Sequence, residues 1–365
     1  MIIGIDARIV EHRNFGITRY AENLIRSLSK ADRKNIYHIY ASKKGIRHVE
    51  ALNLSGNFVV KKTVIPLFFP LEHRLFSIML EKDPPAIFHS TSFLVPSRRI
   101  CPSIVTMHDI IAFKFVTNYF SPIERLYHEL AVKRASHILT VSKASKYDIV
   151  SLFGVSEDKI THVYNGVNKV KRTAPPRLPF KYILYVGSVQ EYKNVAMLLR
   201  AYDIVREKTG VRLVLVLHDT LGINARQHVM ALLKMHNISR RGIHIIKNIS
   251  DEGLGGLYKH AEAFVFLSQY EGFGLPVIEA MAYGAPVVAS RLSCMPEITG
   301  GAAISTDITS PEKPAKDILG LLEDSDLKKE LSERGIKRAA FFTWEKCAAG
   351  TLAVYEKLHG QMLNK

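Results

Sequence analysis

The stretch Ala263–Ser290 reads AFVFLSQYEGFGLPVIEAMAYGAPVVAS, and its order of residue types is that of one α/β unit. Ala263–Leu267 is an unbroken apolar run of strand length. Gly272-Phe273-Gly274 come next, then a helical segment Pro276–Tyr283 that stops at Gly284, ahead of a second apolar run, Val287–Ser290. Proline is tolerated in the first helical turn, whose N–H groups have no intrahelical partner, and glycine just past the end supplies the left-handed residue that closes a helix. A strand covered on both faces, a glycine turn and a helix starting at the strand's end form the repeating piece of a parallel sheet. The free N–H groups and dipole of such a helix N-terminus favour an anion, and glycines let the backbone approach it. A diphosphate-containing ligand is the natural expectation.

The same alternation extends in both directions. Strand-like runs fall at Ile2–Asp6, Ile36–Ala41, Phe58–Lys62, Ala86–His89, Ile104–Met107 and His137–Val141, with helical segments at Gly16–Ser29, Leu71–Lys82, Ser121–Ala135 and Ser142–Phe153. A second series runs through Tyr182–Val186, Arg212–Leu217, Ile243–Ile246 and the stretch above, with helices near Lys193–Lys208, Ala225–His236 and Asp251–His260. Val167–Lys181, with Pro175, Pro176 and Pro179 among five basic side chains, lacks either period and reads as a linker. After about Thr309 the pattern is helical, ending in a segment for which Thr343 is the expected N-cap. The expected fold class is α/β, with two Rossmann-like parallel-sheet domains: 1–170, a linker at 171–181, and 182–342, the helix 343–365 completing the first domain. Open parallel sheets bind ligands beyond the carboxyl ends of their strands, so a cleft between two similar halves is expected to hold the site.

Length agrees with two domains, since single cores stop growing at roughly 250–300 residues and this chain has 365. Hydrophobic residues at 47% and charged residues at 23% exclude disorder, collagen-like repeats and coiled coil. Cys101, Cys294 and Cys347 are dispersed and odd in number, which excludes a disulfide framework and a Cys-x-x-Cys site and fits a reducing, cytoplasmic compartment. The beginning Met-Ile-Ile-Gly-Ile-Asp-Ala-Arg has no basic region ahead of an apolar stretch, and no run long enough to span a bilayer occurs, so neither secretion nor membrane spanning is expected. The net charge of +16 is uneven: residues 1–177 carry 27 Lys/Arg against 14 Asp/Glu, the remainder 23 against 20. The basic first half predicts an anionic partner, whether nucleic acid, an anionic membrane surface or a phosphorylated substrate.

Glu271 and Glu279 bracket the glycine turn. Glu279 is either a solvated residue favoured by the helix dipole or, among Ile278, Ala280 and Met281, a largely buried carboxylate that needs donors such as sugar hydroxyls. The pattern Glu-Gly-Phe-Gly-Leu-Pro-x-x-Glu-Ala-Met-Ala-x-Gly-x-Pro-Val-Val resembles the E-x7-E signature of family 4 retaining glycosyltransferases, two-domain enzymes of the GT-B fold. The resemblance spans nearly the whole chain. It includes Gly16-Ile17-Thr18-Arg19-Tyr20, Met107-His108-Asp109, Thr140-Val141-Ser142, Tyr164-Asn165-Gly166-Val167, Tyr185-Val186-Gly187-Ser188, Lys193-Asn194 and Phe342-Thr343-Trp344-Glu345.

The resemblance implies roles residue by residue. Glu271 would hydrogen-bond the donor sugar near the reacting carbon. The N–H groups of Gly272, Phe273 and Gly274, with Leu275, would hold sugar and diphosphate, and Glu279 would take the ribose hydroxyls. Lys193 is otherwise a solvated helix-opening lysine; the resemblance makes it the phosphate cation, beside Gly187 and Ser188. Many members have an arginine where Tyr192 or Ser188 stands here, which leaves Arg19 as a candidate replacement. His108, otherwise a core histidine, would face the donor sugar, with Asp109 orienting it or the chain around it; Gly16, otherwise a turn glycine, would belong to a flexible loop near phosphates and acceptor. Asp251 is either an N-cap or a carboxylate facing guanine, which would favour GDP. Glu271, His108 and Lys193 form the expected catalytic set.

The implied reaction is transfer of a hexosyl group from a nucleoside-diphosphate sugar with retention at the anomeric carbon. Mannose from GDP-mannose is the first expectation, for bacterial surface polysaccharide or lipopolysaccharide synthesis, with UDP-linked sugars next. The single Asp-x-Asp, Asp324-Ser325-Asp326, falls in the helical stretch after Thr309 and follows no strand-like run, so no metal and no cofactor beyond the donor are expected. The acceptor is expected to be a saccharide or lipid-linked oligosaccharide, and the basic half gives peripheral association with the inner face of an anionic membrane as an expectation. Rival readings are a nucleotide-sugar epimerase or phosphorylase of the same fold and a nucleic-acid-binding protein. No aromatic-interleaved basic ribbon supports the last, and the missing G-x-G-x-x-G disfavours a nicotinamide dehydrogenase.

Overall fold

The computed structural model describes residues 1–11, 16–67, 69, 71–115, 122–168, 178–219 and 223–363. The chain divides into two compact units, one made of Met1–Gly166 with Thr343–Lys365, the other of Val167–Phe342. Residues 169–177 of the proline-rich stretch and Ser121 of the expected helix Ser121–Ala135 lie outside the described residues; that helix is described over Pro122–Arg134.

The first unit is built on a seven-stranded sheet of β1 (Ile2–Asp6), β2 (Ile36–Ser42), β3 (Phe58–Thr63), β4 (Ile87–Ser90), β5 (Ser103–Thr106), β6 (His137–Thr140) and β7 (Ile160–His162). All neighbours pair in parallel in the order β3-β2-β1-β4-β5-β6-β7. β1 sits between β2 and β4, with Ile3 opposite both Tyr37 and Ile87. β4, β5 and β6 are buried along their whole length, as expected of strands covered on both faces. The final helix, Trp344–Leu363, packs against the helix Gly16–Ala31, and Thr343 caps it by accepting from the Lys346 N–H at 3.1 Å. A side chain at Gly166 would run into the Thr343–Trp344 backbone, which accounts for the glycine in Tyr164-Asn165-Gly166-Val167.

The second unit has a six-stranded parallel sheet of β8 (Tyr182–Gly187), β9 (Arg212–Leu217), β10 (Ile243–Ile246), β11 (Ala263–Phe266), β12 (Val287–Ser290) and β13 (Ile304–Thr306), ordered β10-β9-β8-β11-β12-β13. In each sheet the order reverses once, at β1/β4 and at β8/β11. Such reversals are where open α/β sheets leave a crevice beyond their strand ends.

The structure departs from the sequence reading at a few points. β7 and β13, three residues each, are too short for a hydrophobic period to reveal, and β4 and β5 are displaced by one residue from the expected runs. Lys193 does not open a helix: it ends a 3-10 turn, Glu191–Lys193, and the left-handed Asn194 (φ 56°) separates that turn from the helix Val195–Thr209. Asn tolerates that conformation better than other side-chain-bearing residues.

Candidate donor site

β8 and β11 lie side by side, and the segments that leave them converge on their carboxyl ends. The Asn194 side-chain amide donates to the Leu267 carbonyl at 3.2 Å, and the Gln269 N–H donates to the Tyr192 carbonyl at 2.8 Å. These bonds tie the turn after β8 to the loop after β11. They bring Lys193 Nζ to 2.7 Å from Glu271 Oε1, with both side chains largely buried, and Nζ also lies 5.2 and 5.5 Å from the ring centroids of Tyr192 and Phe266. Two expected site residues far apart in sequence thus meet as an ion pair. Above β8, the Ser188 hydroxyl and the Tyr192 hydroxyl both donate to Gln190 Oε1, at 2.9 and 2.8 Å, and the Tyr185 hydroxyl donates to the Ser188 carbonyl at 2.7 Å. Burial, aided by the Glu271 charge, holds the Tyr185 phenol neutral far above its usual range. Gly187 closes β8 immediately before this cluster.

Glu271 is fixed through its backbone. The Ser293 hydroxyl donates to the Glu271 carbonyl at 2.7 Å and accepts from its N–H at 3.3 Å, from a left-handed position (φ 56°). The loop then passes Gly272 and Phe273, whose buried ring packs edge-on against Phe342 with centroids 5.6 Å apart. Gly274 has φ 85°, a conformation that glycine adopts without strain, and a Cβ there would press on the terminal methyl of Met295. The helix Leu275–Ala282 starts at once, with Pro276 in its first turn, and ends at Tyr283 and Gly284. The N–H groups of this turn and helix start, next to the Lys193 cation, form a place where an anion is stabilised.

Glu279 is half-buried, less than its neighbours Ile278, Ala280 and Met281, because it lies on the flank of the helix that meets Tyr258. The Tyr258 hydroxyl donates to Glu279 Oε2 at 3.1 Å, while the Tyr258 ring is buried against Phe264 and Tyr283. Sequence reasoning passed over Tyr258. Its signal was a tyrosine on the apolar face of the helix Asp251–His260, where a buried hydroxyl must find an acceptor. Asp251 is not the cap of that helix: Ser250 is, accepting from the Gly253 N–H at 3.1 Å, and Asp251 is an exposed first-turn residue, placed to favour the dipole.

The remaining expected residues belong to the first unit. His108 comes after β5; its Nε2 lies 3.1 Å from the Thr91 carbonyl, its own carbonyl accepts from the Ser145 hydroxyl at 3.2 Å, and its ring meets Tyr20 edge-on at 4.8 Å. Burial lowers its pKa to about 4, so the imidazole is neutral at neutral pH. Asp109 accepts from the Ile111 N–H at 2.9 Å, shaping the chain around His108. Gly16 is the exposed first residue of its helix, and Arg19 is exposed one turn on. Two buried polar groupings in this unit had no sequence signal. Tyr20, Thr106, His89 and Tyr355 form a chain of hydrogen bonds of 2.9, 2.8 and 2.6 Å. Arg8, 1% exposed, pairs with both oxygens of Asp6 at 2.9 and 2.8 Å and with Glu72 at 3.1 Å, with its guanidinium 4.4 Å from the Phe76 ring centroid. Among the described residues no three His, Cys, Asp or Glu side chains are grouped so as to hold a metal ion, and no helix is long and apolar enough to cross a membrane.

Comparison with known proteins places these features in a family. Residues 168–338 match the family described as Glycosyl transferases group 1, and residues 16–171 match Glycosyltransferase Family 4. The chain is 32% identical over 290 residues to O-antigen chain mannosyltransferase B of Escherichia coli, covering 74% of each protein. It is 35% identical over 231 residues to the MMP alpha-(1->4)-mannosyltransferase of Mycolicibacterium hassiacum, covering 62% of this chain and 55% of that protein. Among solved structures, sucrose-phosphate synthase from Thermosynechococcus elongatus superposes over 99% of this chain and 100% of its own with a TM-score of 0.79 at 18% identity. HepE from Anabaena, solved in complex with UDP and glucose, superposes over 97% and 100% with a TM-score of 0.74 at 14% identity. The chain therefore belongs to the family 4 glycosyltransferases of the GT-B fold, the family that includes the O-antigen mannosyltransferases.

Proposed function

We propose that the protein transfers a mannosyl group from GDP-mannose to a saccharide or lipid-linked acceptor in surface polysaccharide synthesis, with retention of anomeric configuration and without a metal ion. The observation that carries the reading is the Lys193–Glu271 pair at the head of the Gly272–Gly274 turn, at the sheet's point of reversal. In this reading the diphosphate lies against the N–H groups of the turn and draws Lys193 to itself. Glu271, released from the lysine, accepts hydrogen bonds from the sugar, and Glu279, steadied by Tyr258, accepts from the ribose. Preorganised charge of this kind acts where negative charge grows as the leaving group departs. The bond between the anomeric carbon and the diphosphate oxygen breaks, the acceptor oxygen bonds that carbon on the same face, and the acceptor's proton passes to the departing diphosphate. No protein base is then required. Neutral His108, with Asp109 shaping the turn behind it, is assigned to the sugar; Gly16 to the phosphates and acceptor, with Arg19 as the candidate second cation; and Gly187, Ser188 and Leu275 to the donor. The names of the relatives favour mannose, and Asp251 is assigned to the guanine edge.

The test is a transfer assay with GDP-mannose, UDP-glucose and ADP-glucose in the presence of a chelator, the linkage of the product read by NMR. Metal-free release of GDP that depends on acceptor, with an α-linked product, is expected. Release from UDP-glucose instead would move the donor to the UDP class that HepE binds in its crystal structure. Turnover that stops with the chelator would overturn metal independence.

A further inference from the structure

Among the described residues, five other than glycine hold a left-handed φ: Asn53, Asn194, Asn237, Asn248 and Ser293. Four are asparagines, a side chain that tolerates this region well, and the fifth is a serine with φ 56°. Ser293 lies in the turn between β12 and the helix Met295–Thr299, where glycine would adopt the same backbone without strain. A strained conformation persists only where its surroundings hold it, and it points to a purpose when the side chain does something glycine could not. Ser293 does so: its hydroxyl donates to the Glu271 carbonyl at 2.7 Å and accepts from the Glu271 N–H at 3.3 Å. Glu271 is buried and lies past the end of β11, so this clasp satisfies both of its backbone polar groups where the sheet's ladder has ended. Two further contacts join the same segments. The Ser290 hydroxyl, at the end of β12, donates to the Ser268 carbonyl at 2.6 Å, and the terminal methyl of Met295 lies where a side chain on Gly274 would stand. The turn after β12 braces the loop after β11 before, at and after Glu271.

We infer that Ser293 is a positioning residue for transfer, setting where the Glu271 carboxylate stands once the donor is bound; the inference rests on the function proposed above. In the free protein Glu271 is held from both ends, by Lys193 Nζ at 2.7 Å from Oε1 and by Ser293 on its backbone. When the diphosphate draws the lysine to itself, the hold on the side chain is gone and the serine clasp remains. A carboxylate that has to meet a sugar hydroxyl then depends on a backbone fixed to within a fraction of an ångström. Glycine would be at ease in the backbone of position 293 but has no hydroxyl to make the clasp. Stability is given up there for geometry at Glu271.

The test compares Ser293→Ala, which keeps the strain and loses the hydroxyl, with Ser293→Gly, which loses both. Stability of the full chain is read as the urea midpoint by circular dichroism, order in the loop as hydrogen exchange of the segment around Glu271, and function as GDP binding by calorimetry and turnover with the sugar donor that the wild type uses. Ser293→Gly is expected to unfold at higher urea than Ser293→Ala, because glycine relieves the left-handed backbone. Both variants are expected to exchange faster around Glu271 and to turn over about tenfold more slowly than the wild type, while GDP, which carries no sugar, binds all three proteins alike. Stability then ranks by backbone and turnover by the hydroxyl. Turnover at the wild-type rate in either variant, or turnover that follows the order of stability, would overturn the positioning role, and so would equal exchange around Glu271 in all three proteins. A wild type that transfers no sugar, with loop protection still lost in both variants, would uphold the clasp and remove the transferase reading instead.

Discussion

Each sheet reverses its strand order once, and each reversal holds an ion pair, but the two are put to different use. At β1/β4 the Arg8 guanidinium is closed in by Asp6, Glu72, two backbone carbonyls and the Phe76 ring, with every charged partner at most a few per cent exposed. At β8/β11 one lysine meets one carboxylate beside a left-handed glycine and a helix start. A buried charge surrounded by all its partners anchors structure. A lysine paired with a single carboxylate can exchange that partner for a ligand's diphosphate. The same topology thus supplies a brace in one unit and, in the function proposed, a donor loop in the other, and the segment that leaves the strand decides which.

Arg8→Ala puts this contrast under the greatest load. It leaves two buried carboxylates uncompensated and is expected to cost about 3–5 kcal/mol of stability, read as a fall in the urea midpoint of Trp344 fluorescence, the chain's single tryptophan and a member of the first unit. If Arg8 serves the donor instead, the midpoint will hold and nucleotide binding will fall. Lys193→Ala is expected to do the reverse, lowering the transfer rate by about 10²–10³-fold while Trp344 still unfolds at the wild-type midpoint. A third difference is titration. Burial lowers the imidazoles of His89, His108 and His137, all in the first unit, to about 3, 4 and 4. Above their ordinary value of 6.5 this costs nothing. As pH falls from 6.5 towards 4 the unfolded chain takes up protons that the native unit refuses, so stability declines across that window. A Trp344 unfolding midpoint that is flat from neutral pH to about 4 would contradict the buried, neutral imidazoles. The smallest effect is Tyr258→Phe, which removes one hydrogen bond to Glu279 and should weaken nucleotide binding by about 1 kcal/mol, measured by calorimetry, with no change in the fold.

The unevenness of what could be read from the sequence runs along the same division. The strand, glycine turn and helix of the proposed donor loop were legible because Ala263–Leu267, Gly272-Phe273-Gly274, Pro276 and Gly284 follow in order, and local backbone chemistry writes itself in order along the chain. The brace was not, because Arg8 and Glu72 come from distant segments; the His89–Tyr355 bond joins residues 266 positions apart. Nothing in a period or a motif announces such a pairing. Asp251 shows the limit of local reading from the other side: two adjacent residues could each cap the helix, and only the bond from Gly253 to Ser250 distinguishes them. Lys193 reaches Glu271 although its helix begins two residues later than its position suggested, because the bonds from Asn194 to Leu267 and from Gln269 to Tyr192 hold the two loops together.

If the β8/β11 reversal is a donor loop, it binds a nucleoside diphosphate through Lys193, the glycine turn and Glu279. Calorimetric titration of GDP, UDP and ADP into wild type and Glu279→Ala, with a chelator present, decides the matter. Tight binding of GDP to the wild type in the absence of metal is expected, lost or strongly weakened in the variant. No binding of any nucleotide, or binding that Glu279→Ala leaves unchanged, would refute the donor loop.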